Sequence, residues 1–411
     1  MKLLRLALPF LGLLGTTACF GALDDQGSSP PSASLPSPTS TPTPDVDAPA
    51  KPKPTDPPIP ARPFGPAVQV KPAPAQCEEL ARLPAANAPD DQQHIWQFAN
   101  GRAPRSLASG VILGSHAMNE LLAVGGGKVA IQTYASTAGA DFLSGVVLVD
   151  VATGQASEAM PLANGAIRTA DIRLGEIALA GYASGRSSAQ KVYLHRPPAA
   201  PEELAIIPGV DYLHVRLTAH DVLALGGGAI YRVPRAPGLP FRRLGEAEHF
   251  TFNDADAAAG VYWSKGNAIY RLGTTTPILV MTEATGVLAL GFDSVQQKLY
   301  VATELGLSRT SADGTAREDI LQAVKNTAPG PVANDQWLFP TGKGDIYAHN
   351  GRVRAPVNCY DNADFSSILP YEIDTNTGLG RWMSEDPAYP FVEGTAWGHF
   401  DPDTNALYTR R

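Results

Sequence analysis

His399-Phe400-Asp401-Pro402-Asp403-Thr404-Asn405-Ala406-Leu407-Tyr408-Thr409-Arg410-Arg411, at the C-terminus, repeats an internal stretch, Gly291-Phe292-Asp293-Ser294-Val295-Gln296-Gln297-Lys298-Leu299-Tyr300-Val301-Ala302-Thr303. Both run Phe-Asp, five residues, Leu-Tyr, the pattern of a strand, a turn and a second strand. No third or fourth strand follows the C-terminal copy. Toward the other end, His94-Ile95-Trp96-Gln97-Phe98-Ala99-Asn100-Gly101 resembles Asp345-Ile346-Tyr347-Ala348-His349-Asn350-Gly351 and reads as a third strand lacking a first and second. The two incomplete units complete each other. This predicts that N-terminal strands pair with C-terminal ones and leave no open edge.

Between these ends, β-like runs recur in pairs separated by Gly, Asp, Asn and Pro. Val129 to Tyr134 precedes Val146 to Val151, and Glu176 to Tyr182 precedes Val192 to His195. Val222 to Leu225 precedes Ala229 to Val233, Val261 to Ser264 precedes Ala268 to Leu272, and Leu299 to Thr303 precedes Leu307 to Thr310. Trp337 to Pro340 and Asp345 to His349 make the sixth pair. The first members start near 129, 176, 222, 261, 299 and 337, spaced by 47, 46, 39, 38 and 38. A period near 40 built from strands alone predicts an all-β fold, a β-propeller, because each unit is one small sheet that must stack on its neighbours. With the composite unit the count is seven blades; six results if one irregular early unit is something else. The 37 Pro and 39 Gly residues agree with turns and short strands rather than helices.

Two runs, residues 260–273 (GVYWSKGNAIYRLG) and 292–315 (FDSVQQKLYVATELGLSRTSADGT), resemble the YWTD class of propeller repeat. In that class an aromatic pair ends the second strand and a short strand ending in Arg follows. The acid that follows the aromatic pair in the family is absent, with Ser264 and Thr303 in its neighbourhood. The resemblance implies a fold and not an activity, since propellers host binding, scaffolding and catalysis alike.

The N-terminus carries an address. Lys2 and Arg5 precede an apolar run from Leu6 to Leu14 and small residues ending at Ala18-Cys19, the order of a secretory signal. The run is shorter than the roughly 20 residues that span a bilayer. Thr16-Thr17-Ala18-Cys19 resembles the lipobox of bacterial lipoproteins, although Thr16 stands where that motif usually has Leu. The expectation is a signal over 1–18 and a lipidated Cys19, giving an exported outer-membrane lipoprotein anchored through its acyl chains alone. Soluble secretion is the alternative. Residues 19–76 hold 16 prolines between Pro30 and Pro74 and few large apolar side chains, so they form a disordered, extended tether. The propeller domain occupies 77–411. A formal net charge of -8 argues against nucleic acid as a partner.

Candidate chemistry is sparse. Beyond Cys19 the sequence holds Cys77 and Cys359, which permit one disulfide; closing a loop of that length stabilises by about 5 kcal/mol in the chain-entropy estimate. Gly125-Gly126-Gly127-Lys128 and Gly226-Gly227-Gly228 lack the spacing of a phosphate loop and read as hairpin turns. The eight His residues show no paired ligand spacing, and no cofactor is predicted. Asn253, Asp254 and Asp256, and separately Asp374 and Asn376, alternate oxygen donors as calcium loops do, although Asp and Asn in turns more often cap their own backbone. No GxSxG or SxxK motif is present.

A long final unit over 358–394 concentrates acids and aromatics. Tyr360, Asp361, Asp364, Tyr371, Glu372, Asp374, Trp382, Glu385, Asp386 and Tyr389 are its ligand-face candidates; the competing reading is cover over the closure seam. Together these features suggest a stalk-displayed, non-catalytic propeller that binds a protein or glycan of the cell envelope. The alternative is a hydrolase or lyase acting on a sugar or lactone, which acids and histidines at a channel mouth would favour.

Overall fold

The computed structural model describes residues 94–99, 105–109, 117–136, 142–164, 167–182, 189–253, 260–274, 276–322, 336–338, 346–362, 365–377, 379–382, 399–401 and 406–410. Every regular element among them is a β-strand. No helix among the described residues is long and apolar enough to cross a membrane.

β1 (His94–Ala99) and β2 (Arg105–Ser109) come early in the chain, yet they are half of a sheet whose other half comes last. β3 (Ala117–Gly125), β4 (Lys128–Ser136), β5 (Phe142–Asp150) and β6 (Ala156–Asn164) form the first blade as successive antiparallel hairpins. The second blade is β7 (Ile167–Arg173), β8 (Glu176–Tyr182), β9 (Ala189–His195) and β10 (Glu202–Pro208). The third is β11 (His214–Leu217), β12 (Asp221–Gly226), β13 (Ala229–Pro234) and β14 (Arg242–Glu246). The fourth is β15 (His249–Phe252), β16 (Val261–Lys265), β17 (Ala268–Leu272) and β18 (Pro277–Thr282). The fifth is β19 (Val287–Asp293), β20 (Lys298–Thr303), β21 (Gly306–Ser311) and β22 (Glu318–Gln322).

The sixth blade has five strands: β23 (Gln336–Leu338), β24 (Tyr347–His349), β25 (Arg352–Asn362), β26 (Phe365–Asp374) and β27 (Leu379–Trp382). β24 pairs with the first part of the long β25, and β23 with its last part. Finally β28 (His399–Asp401) and β29 (Ala406–Arg410) lie beside β1 and β2 in the order β2-β1-β29-β28. β1 and β29 run antiparallel, from Ile95 opposite Arg410 to Ala99 opposite Ala406. The described residues form a β-propeller of seven sheets closed by the sheet that joins β1 and β2 to β28 and β29.

One expected assignment changes. Asp345 to His349 was expected as a third strand, but β24 is the first strand of its blade. Asn350 and Gly351, both at positive φ (49° and 77°), turn the chain in two residues, so β24 hands directly to β25. The second and third strands are therefore β25 and β26, and much of the acidic, aromatic final unit is blade rather than inserted loop.

The core lies between blades rather than within them. Leu179 of the second blade packs with Val146 and Leu148 of the first, and Val192 and Leu194 pack with Val215 and Val222 of the third. Leu223 and Ile230 meet Phe250 and Trp263; Tyr262 and Ile269 meet Leu299 and Val301; Tyr300 meets Val353 and Tyr371. Ile95 and Tyr408 of the composite blade meet Val129 and Ile131 of the first, so apolar packing crosses the closure as well.

The Gly-Phe-Asp motif shows how sequence sets this packing. Phe292 is buried between blades, while one Asp293 oxygen accepts the N–H groups of Val295 (2.9 Å) and Gln296 (3.0 Å), capping the hairpin. The other accepts Gly351 N–H of the next blade at 2.7 Å. Gly291 is required by proximity: a Cβ there would lie 2.7 Å from the Ile346 carbonyl oxygen. The Gly126-Gly127 and Gly227-Gly228 pairs are hairpin turns, with φ of 55° and 72°, and 57° and 72°.

Gly291→Ala is expected to lower stability by about 1–3 kcal/mol through overpacking. Denaturant unfolding checks this, and an unchanged midpoint would contradict the close approach of the fifth and sixth blades.

Candidate central-channel site

Propeller blades converge on their first strands, and here a cavity of about 1420 Å³ is lined by β3, β7, β11, β15, β19, β24 and β28. Turn residues from both ends of these strands also line it, including Leu174, Thr218 and Val295 at one end and Asp211 and Gly227 at the other. It is the axial channel of the ring.

One level of this channel is polar. Asp171, Arg216, Thr251, Tyr347 and His399 each stand two residues before the first hairpin of their blade, and all line the cavity. The equivalent positions in the other two blades are Ala123 and Gly291, which leave room.

Asp171 organises the site. Its Oδ2 accepts the backbone N–H of Leu217 at 2.7 Å, its Oδ1 lies 3.4 Å from Arg216 Nη1, and Arg173 Nε lies 3.3 Å from Oδ2. Asp171 is 5% exposed, so it acts as a buried anchor that orients two guanidinium groups. Each group also meets an aromatic face across the ring: Arg173 lies 4.6 Å from the Phe252 ring centre and Arg216 lies 5.9 Å from that of Tyr347. Tyr347 is in edge contact with Phe400, and His214 with Phe250. His249 and His349 line the same cavity.

Chemically, the channel offers cationic donors, imidazoles and aromatic faces around one engaged carboxylate. Of the other lining carboxylates, Asp401 is 1% exposed, and Glu120, Asp211 and Glu248 stand toward the opposite end. Among the described residues no cluster of His, Cys, Asp and Glu could hold a metal ion.

The residues singled out from sequence are dispersed. Cys19, Cys77, Asp254, Asp256, Asp364, Glu385, Asp386 and Tyr389 lie outside the described residues. Cys359, Tyr360 and Asp361 fall in β25 and Trp382 in β27. Asp374 caps its own turn, accepting the N–H groups of Asn376 (2.9 Å) and Thr377 (3.3 Å) as Asp150 does for Ala152 and Thr153. Asn376 accepts from Gln296 of the preceding blade, and Asn253 exchanges amide hydrogen bonds with Gln297. These geometries are those of turn caps and blade staples.

Two ligand-face candidates are interior instead. Tyr371, 2% exposed, belongs to the core between the fifth and sixth blades. Glu372, 6% exposed, pairs with Arg354 at 2.5 Å. The Arg354 guanidinium lies 3.6 Å from the Phe400 ring centre of the composite blade, so this buried pair is mortar between the sixth and seventh blades. Strand alternation explains the difference: a residue in a propeller strand faces a neighbouring blade, not solvent.

The channel residues went unnoticed in sequence. Their signal is a charged residue between two apolar ones near the end of a first strand, as in Ala170-Asp171-Ile172 and Val215-Arg216-Leu217. It becomes visible only when first strands are aligned from their hairpins backward.

No family model matches the chain, and no curated protein matches it. Among solved structures it is similar to the β-propeller domain of the Trilobed protease from Pyrococcus furiosus, at 11% identity over 72% of this chain and 91% of that one, TM-score 0.46. A chain of a mitotic checkpoint complex matches at 11% identity over 80% and 96%, TM-score 0.44. TolB from Acinetobacter baumannii matches at 16% identity over 55% of this chain and 62% of that one, TM-score 0.35. The match thus spans less than two thirds of TolB. At these values the fold rests on the seven sheets themselves.

Glu372→Gln is expected to cost about 3–5 kcal/mol, because it leaves Arg354 buried without its counter-charge. Denaturant unfolding measures this; a ligand residue on the surface would change stability little.

Proposed function

We propose that this chain is an exported, lipid-anchored propeller that binds a protein or glycan of the cell envelope through its axial channel and leaves it chemically unchanged. The observation that carries the reading is the state of Asp171. Its oxygens are taken by Leu217 N–H, Arg173 and Arg216, so it presents guanidinium groups rather than serving as base or nucleophile. Rigid, pre-oriented cations beside aromatic faces suit recognition of an anionic group.

A lipid on Cys19 and an extended tether over 19–76 would place this channel at a distance from the membrane. A disulfide between Cys77 and Cys359 and a YWTD-like repeat belong to the same proposal. The second reading, a hydrolase or lyase, draws on His214, His249, His349 and His399, which line the channel together with Asp171 and Asp401.

The test passes envelope extract over immobilised full-length protein. Binding is expected to fall at least about tenfold for Arg173→Ala/Arg216→Ala, with the bound species eluted at unchanged mass. A shortened species would establish the enzyme reading; equal retention by the double variant would remove the channel as the site. Mass spectrometry of the mature N-terminus is expected to find acylated Cys19, and an unmodified N-terminus would establish soluble secretion instead.

A further inference from the structure

The two mouths of the channel differ in chemistry. At the end where first strands pass to second strands, Leu174 and Val295 are 73% and 57% exposed, and both line the cavity. They belong to the second and fifth blades, on opposite sides of the ring. Arg173 and Arg216 line the wall at the same end, with His349 from the sixth blade. Two described carboxylates of that end are turned into the structure: Asp293 is 0% exposed and Asp401 1%. The other mouth is acidic, with Glu120, Asp211 and Glu248 beside Arg168.

Leu174 is also conformationally out of place. It opens a two-residue hairpin, Leu174-Gly175, with φ of 53° and 76°. The same turn is built elsewhere from Gly126-Gly127, Gly227-Gly228 and Asn350-Gly351, residue types that accept positive φ. A leucine there strains the backbone, and its side chain, largely exposed, recovers little by packing on the described residues. Strain held at a cavity rim points to a role in binding.

We infer that this mouth docks an extended peptide segment of a partner protein: an acidic side chain enters between Arg173 and Arg216, and aliphatic side chains two residues to either side, on the same face of the extended segment, rest on Leu174 and Val295. The inference builds on the channel reading and names its partner class. Aliphatic rims favour a peptide over a glycan, because Leu and Val cover apolar side chains but offer sugar hydroxyls no hydrogen bond. The guanidinium pair supplies the charge complementarity for the carboxylate.

The experiment uses the full chain and fluorescence anisotropy with a labelled peptide carrying Leu-Ser-Asp-Ser-Leu at its centre. Its Leu-Ser-Asn-Ser-Leu counterpart and a labelled galacturonate oligosaccharide are the comparison probes. The Asp peptide is expected to bind at least about tenfold more tightly than the Asn peptide. Leu174→Asn is expected to weaken it about fivefold or more while raising the melting temperature, since Asn relieves the strained turn. Equal binding of the Asp and Asn peptides, or undiminished affinity in Leu174→Asn, overturns the inference. If the oligosaccharide alone binds and depends on Arg216, the peptide inference falls and the channel reading stands. If no probe binds, the peptide inference falls, and the channel reading stands or falls with the retention of envelope extract.

Discussion

The pairing of β1 with β29 is the constraint on which the rest of the molecule depends. Each blade buries its faces against two neighbours, so an open array would leave a hydrophobic face at both ends and unpaired strand edges beside them. Bringing Ile95–Ala99 against Ala406–Arg410 removes both liabilities at once. It also completes the interface in which Ile95 and Tyr408 meet Val129 and Ile131. The contacts are distant in sequence, so their closure entropy is large, and packing on both sides of the composite blade must offset it.

Closure also creates the channel. Seven first strands held at a fixed radius bring Asp171, Arg216, Tyr347 and His399 from four blades to one level. None of these residues is near another in sequence beyond its own blade. Asp171 converts that juxtaposition into a site by fixing two guanidinium groups on one buried carboxylate. The staples that hold the level are equally simple: Asp293 to Gly351 N–H, Asn253 to Gln297, and Arg354 with Glu372 against Phe400.

Much of the fold was legible because propeller strands repeat. The Phe-Asp and Leu-Tyr copies identified β28 and β29, and the lone third strand at His94 identified β1. The sixth blade differs from expectation because Asn350-Gly351 makes a two-residue hairpin that reads like any strand end, and because two of its strands are 11 and 10 residues long, longer than those of any other blade. The site was far less legible. Sequence drew attention to Tyr371 and Glu372, where acids and aromatics crowd, but alternation on a blade turns those positions into its neighbours. The polar level of the channel is instead drawn from five blades, one residue from each, a spacing that no local motif reports. The glycine pairs were legible because positive φ leaves few alternatives.

Residue-resolved hydrogen exchange at β1 and β29 tests the closed ring most directly. If closure holds the molecule, the amides of Ile95–Ala99 and Ala406–Arg410 that bond across the seam exchange only through global unfolding, as slowly as those of β8 and β12. Exchange at those amides orders of magnitude faster than in β8 and β12 would contradict it, since terminal strands that merely lie together open locally.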